Sequence, residues 1–187
     1  TYHASLLHMF FTTFRLNRLS QKGGVIVGGD GGNHVSYTLR GTGSAGAEYE
    51  KEKMRSASDA FGLESPGFLE SVDEFGDGIS LQILTVFPGF ILQQISNSLA
   101  VRQMIPKGQG RCELVWTCFG FASDDEAMTR RRLLQANLIG PAGFISMEDG
   151  AATEFVQRGV AGAPDRASEV EMGGSDVASS DSRVNET

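Results

Sequence analysis

The chain of 187 residues has the length of a single domain and can bury a substantial core. Its 16 basic and 23 acidic side chains leave a net charge of −7, which speaks against nucleic acid as a partner, since such binders usually present a basic face. No apolar stretch approaches the roughly 20 residues that cross a bilayer, and no secretory signal is visible, although with Thr1 as first residue the true N-terminus is not in view.

In chain order, residues 2–19 read as a helix with Leu7, Phe10, Phe11 and Phe14 on one apolar stripe. Residues 25–39 read as a hairpin: Val25-Ile26-Val27, the turn Gly28-Gly29-Asp30-Gly31-Gly32-Asn33, then Val35 to Leu39. The turn glycines do not make a phosphate loop, because no helix follows and no Lys-Ser/Thr closes the pattern. His34, beside Asn33, reads as an ordinary polar residue of this hairpin. A polar helical segment follows, from about Ala47 to Phe61, rich in Glu and Lys.

The middle of the chain is strand-rich. Ile79 to Phe87, Phe90 to Ile95, Ser98 to Met104 and Arg111 to Phe121 are β-type runs, separated by Pro88-Gly89, Asn97 and Pro106-Lys107-Gly108. Cys112 and Cys118 fall in the last of these. At ~3.3 Å per residue they stand about 20 Å apart on one strand, beyond disulfide reach. Two free thiols suit the cytoplasm. They also rule out a resident Rieske cluster, which takes two Cys and two His at paired local spacings, because neither Cys has a His within a few residues.

Ser123-Asp124-Asp125-Glu126 has the form of a helix start, with Ser123 as N-cap and acidic groups at the positive dipole end. The helix carries Met128, Leu133, Leu134 and Leu138 to a stop at Gly140-Pro141. Its basic run, Arg130-Arg131-Arg132, reads as a solvated face rather than a nucleic-acid site. Beyond Gly159 the composition turns to Gly, Ala, Ser and Asp, which reads as loop or tail. Strands followed by a long helix imply an α+β domain, an antiparallel sheet packed against helices.

Three side chains stand out as metal ligands: His3, His8 and Asp149. Two neutral imidazoles and one carboxylate, with positions left open, are the ligand set of a non-haem Fe(II) oxygenase. The His spacing is awkward, because five residues separate the two rings by about 140° around an ideal helix. Their convergence needs an irregular turn such as a π-bulge.

The downstream text bears on this. Gly140-Pro141-Ala142-Gly143 leads through Phe144-Ile145-Ser146-Met147-Glu148 to Asp149, and Glu154-Phe155-Val156-Gln157-Arg158-Gly159 follows. With Phe87-Pro88, Asn97-Ser98-Leu99, the Pro106 loop and Trp116-Thr117, these stretches resemble the catalytic half of the large (alpha) subunit of Rieske-type aromatic-ring-hydroxylating dioxygenases. The likeness is to the salicylate, anthranilate and terephthalate branch, over essentially the whole chain.

The resemblance implies a helix-grip (START-like) domain over residues 1–187 that holds a mononuclear Fe(2+) on His3, His8 and Asp149, with Asp149 and not Glu148 at the ligand position. It implies an aromatic substrate, O2, and hydroxylation or cis-dihydroxylation of the ring. Electrons would come from a 2Fe-2S Rieske cluster, fed by a ferredoxin or reductase and NAD(P)H. The intact enzyme would be a homotrimer or an α3β3 assembly with a small subunit. The Asp that relatives carry three residues before the first ligand His would fall just before Thr1, and the Rieske domain is not in this sequence. The chain is therefore expected to be incomplete at both ends and inactive alone.

Pocket candidates are Ala4 and Leu7 beside the histidines, Gln93 from the sheet, and Ile139 and Ile145 around the Gly-Pro-Ala-Gly stop. Arg102, Gln93 and Gln94 are candidate anchors for a substrate carboxylate, with nothing in the sequence to choose among them. Two other readings compete. A non-catalytic helix-grip carrier of hydrophobic ligands would have no use for the three metal ligands. A zinc hydrolase would want a Glu base after its first His, where this chain has Ala4.

Overall fold

The structure is a computed structural model that describes residues 22–29, 32–41, 50–51, 53, 65–167 and 179–180. The helix expected over 2–19, and most of the segment expected over 47–61, lie outside the described residues; Glu50 and Lys51 are helical. Short β-branched runs give β1 (Gly23–Gly28) and β2 (Asn33–Leu39), paired antiparallel with Val25 opposite Ser36. Gly29 and Gly32, at φ 63° and 73°, take the left-handed backbone that their turn requires.

After a 3₁₀ turn (Pro66–Phe68) the chain forms an antiparallel meander: β3 (Ile79–Val86), β4 (Phe90–Ile95), β5 (Ser98–Pro106) and β6 (Cys112–Phe119). A two-residue strand, β7 (Ser179–Ser180), pairs with Gly23 and Gly24, within the stretch read from sequence as tail. Among the described residues the sheet order is β6-β5-β4-β3-β2-β1-β7. Helices α1 (Glu126–Ile139) and α2 (Phe144–Gly162) complete an α+β fold in keeping with a helix-grip domain.

Two sequence expectations need correction. The α1 N-cap is Asp125, not Ser123: Asp125 Oδ1 accepts from Met128 N–H at 2.7 Å, a bond that the earlier Ser cannot make once the helix starts at Glu126. The second concerns Arg132, read as part of a solvated face. It is only 6 % exposed, and with Gln135, Leu138 and Ile139 it makes the buried stripe of α1, while Leu133 is 64 % exposed.

That stripe is polar at one end because it meets a buried knot of hydrogen bonds. Arg132 donates to both Asp124 oxygens, from Nε at 2.7 Å and Nη2 at 2.9 Å. Its Nη1 reaches the Asn97 carbonyl at 2.7 Å and Glu74 at 3.1 Å, and its Nη2 also pairs with Glu74. Asn97, fully buried in the β4–β5 turn, donates its backbone N–H to Gln135 Oε1 at 2.8 Å and accepts from Val72 N–H at 2.9 Å. One guanidinium thus joins α1, the β4–β5 turn and the loop before β3. A bidentate pair between two little-exposed groups holds its geometry better than a surface pair. The hydrogen bond from Arg132 holds the Asp124 carboxyl below the usual carboxylate range, against the opposing effect of burial.

The α1–α2 corner has no room for side chains at its glycines. Gly140 closes α1 by donating to the Ala136 carbonyl at 2.7 Å, and a Cβ there would stand 2.3 Å from that same oxygen. A Cβ on Gly143 would stand 2.2 Å from the Leu138 carbonyl oxygen. Ser146 Oγ then donates back to the Ile139 carbonyl at 3.2 Å, so the first turn of α2 is tied to the last turn of α1. The Gly-Pro-Ala-Gly text is the sequence form of this close approach.

Gly143→Ala should therefore force the corner open, costing about 1–3 kcal/mol as other overpacked sites do. The check is a melting temperature several degrees below wild type; an unchanged value would mean the corner has slack. Asp124→Asn should lower the denaturant midpoint at neutral pH. Because the folded pKa of Asp124 is depressed, its contribution is whole above the unfolded value of about 3.9 and is lost as pH falls through the folded one. The gap between wild type and variant should narrow in acid; a gap of constant size down to about pH 2 would contradict the pairing.

Candidate metal and ring-binding site

Of the expected triad the described residues contain Asp149. His3 and His8, with the pocket candidates Ala4 and Leu7, lie outside them. Among the described residues no three His, Cys, Asp or Glu side chains gather as a metal set, and two of the three expected ligands lie outside that range. What the structure places is the ground around Asp149.

Alternation along the strands puts Gln93, Ile91, Ala100, Arg102, Trp116 and Cys118 on one face of the sheet: Gln93 pairs with Ala100, Ile91 with Arg102, Arg102 with Trp116 and Ala100 with Cys118. Helix α2 lies on this side. It starts from the corner tied through α1 to the β4–β5 turn, and its Gln157 reaches the β5–β6 turn, where a Cβ on Gly110 would stand 3.4 Å from Gln157 Nε2. Asp149 occurs in the second turn of α2, and its negative charge acts on Arg102 across the gap. Burial pushes the Arg102 guanidinium below the usual arginine range, and Asp149 pulls it back up. Glu148, one residue earlier, points about 100° away around the helix.

The other candidates divide clearly. Ile145 and Asp149 are four residues apart and share one face of α2; Ile145 is half-buried and Ile139, at the end of α1, is buried. Gln93 is 2 % exposed and its Nε2 has no hydrogen-bond partner. Gln94 lies on the opposite face of the sheet and is already engaged, accepting from Gln82 Nε2 at 2.7 Å. Arg102 keeps a buried Nε without a partner, and its guanidinium carbon stands 4.9 Å over the Trp116 ring. His34 is a hairpin residue, its Nδ1 3.4 Å from the Gly32 carbonyl.

Trp116 was not among the candidates. In the sequence Trp116-Thr117 counted only toward the family likeness; the cross-strand register that sets Trp116 against Arg102 is a tertiary fact. The two cysteines are free and exposed, and among the described residues no helix is long and apolar enough to cross a membrane.

No family model matches the chain. Curated relatives do. The chain is 57 % identical over 187 residues to the terephthalate 1,2-dioxygenase terminal oxygenase component subunit alpha 2 of a Comamonas species, covering all of this chain and 45 % of that protein. It is 42 % identical over 172 residues to the anthranilate 1,2-dioxygenase large subunit of Burkholderia cepacia, covering 91 % of this chain and 41 % of that one. Against the salicylate 5-hydroxylase large oxygenase component of a Ralstonia species the identity is 37 % over 193 residues, covering 100 % and 44 %. The chain spans a little under half the length of these relatives. Such identity along the whole chain, together with the α+β fold and the corner before Asp149, places it in the large-subunit family of the aromatic-ring-hydroxylating oxygenases.

Proposed function

We propose that the chain is the catalytic, mononuclear-iron part of an oxygenase large subunit that hydroxylates or cis-dihydroxylates a single-ring aromatic carboxylate. The observation that carries this reading is the placement of Asp149: in the second turn of the helix that leaves the glycine corner, where its negative charge acts on Arg102 of the sheet. Its oxygen, with ring nitrogens of His3 and His8, makes a donor set that suits Fe(II) and leaves positions open. Iron held there would supply the activation of dioxygen, with electrons passing from NAD(P)H through a ferredoxin or reductase to a 2Fe-2S Rieske cluster and from that cluster to the iron.

The rest is the work of the chain's own side chains. Arg102 is the anchor for the substrate carboxylate. Its charge is partly desolvated and its Nε lacks an acceptor, so a carboxylate would complete a charge-assisted hydrogen bond that the protein itself leaves unmade. Gln93, whose amide nitrogen is buried and unpartnered on the same face, is the second polar contact. Gln94 is excluded from this role by its face and its bond to Gln82. Ile139 and Ile145 make the apolar wall that a ring needs, with a few placed polar groups fixing its orientation. The names of the relatives support the substrate class, since terephthalate, anthranilate and salicylate all carry a carboxylate on one benzene ring. The intact enzyme works as a homotrimer or α3β3 assembly in the cytoplasm.

The test separates the metal from the ring. In the holoenzyme, Asp149→Ala should lose iron and with it activity on every ring. Ile145→Trp should keep its iron but turn over single-ring substrates at least tenfold more slowly, because the added bulk fills the slot. Unaltered rate and regiochemistry in Ile145→Trp would show that the pocket is elsewhere; undiminished iron in Asp149→Ala would remove Asp149 from the ligand set.

A further inference from the structure

Arg102 can serve as an anchor only if something holds it. An arginine on a strand has many rotamers, and an unrestrained guanidinium would lose that freedom on each binding event. Among the described residues no carboxylate is ion-paired with Arg102 within 4.0 Å, and its Nε has no hydrogen bond. What it does have is Trp116. The β5–β6 register sets the two residues directly opposite each other, and the guanidinium carbon lies 4.9 Å from the centre of the indole ring. Trp is the strongest cation–π partner among the side chains. It is also the single tryptophan of the chain.

We infer that Trp116 is a positioning residue for substrate recognition: its indole holds the Arg102 guanidinium by one face and leaves the N–H edge for the carboxylate of the ring substrate. This rests on the reading of Arg102 as anchor. The two uses of the guanidinium do not compete, because stacking spends the π face while hydrogen bonding spends the edge. An ion-pair partner in place of Trp116 would fix Arg102 equally well but would neutralise the charge that the substrate needs. The small Ala100, beside Arg102 along β5 and opposite Gln93, adds only a methyl group between the cation and the amide. A preorganised cation lowers the cost of binding an anion and does nothing for a neutral ring.

The experiment is equilibrium binding of benzoate and of its neutral counterpart benzamide to the iron-loaded holoenzyme, in wild type, Arg102→Gln, Trp116→Leu and Trp116→Phe, with iron content and melting followed in each. Arg102→Gln and Trp116→Leu should weaken benzoate by roughly three- to thirtyfold and leave benzamide within about twofold, with iron unchanged. Trp116→Phe, which keeps an aromatic face, should lie between wild type and Leu, and it carries the test if the Leu variant does not fold. Unchanged benzoate affinity in the Trp116 variants, or an equal loss for benzoate and benzamide, overturns the inference. If Arg102→Gln also fails to discriminate the two ligands, the anchor reading falls with it; if Arg102→Gln discriminates and the Trp116 variants do not, the inference falls alone.

Discussion

The buried guanidinium of Arg132 organises the helix pair that carries Asp149. Arg132 is held by Asp124, Glu74 and the carbonyl of Asn97, and so fastens α1 to the β4–β5 turn and to the loop before β3. Removing one partner would leave buried charge uncompensated, which costs far more than the pair contributes as a contact. Because α1 is fixed in this way, its last residues present their carbonyls at a set place, and the glycine corner turns the chain without slack into α2. The position of Asp149 is therefore inherited from the position of Arg132, through four turns of helix and one tight corner.

The second consequence is electrostatic. Among the described residues, the sheet face that carries Arg102 holds that partly desolvated cation and the buried, unpartnered amide nitrogen of Gln93. A protein that sought only stability would not leave such donors unmet, since each carries a desolvation cost that a hydrogen bond would offset. Unmet donors on a face that also feels the charge of Asp149 are what a bound carboxylate would satisfy. The contrast with the Arg132 knot is instructive. There every donor of the guanidinium has its acceptor, and the group is structural. Here the stack with Trp116 restrains the cation without consuming its hydrogen bonds.

Much of the fold was legible in the sequence, for physical reasons. The runs Ile79 to Val86 and Phe90 to Ile95 are β-branched and aromatic and are cut by Pro88-Gly89, so the strand ends followed from backbone chemistry. The end of α1 followed from Gly140-Pro141. Its start was misplaced because Ser123, Asp124 and Asp125 are all competent caps, and only the bond to Met128 N–H decides among them. The burial of Arg132 was not legible at all: it lies in a run of three arginines, and its partner Glu74 is 58 residues away. Asp149 was singled out through a motif whose steric reason, the carbonyl of Leu138 pressed on Gly143, only the structure supplies. Trp116 was passed over because its place against Arg102 depends on strand register, which a pattern of apolar residues does not fix residue by residue.

The central claim is that Asp149 completes a mononuclear iron site with two histidines that come from the other end of the chain. The most direct measurement is a crystal structure of the iron-loaded holoenzyme with anomalous scattering at the iron edge. The account predicts one iron peak with ring nitrogens of His3 and His8 and an oxygen of Asp149 within roughly 2.0–2.3 Å, facing the Arg102 side of the sheet. An iron bound by Glu148 in place of Asp149, or located away from α2, would contradict it.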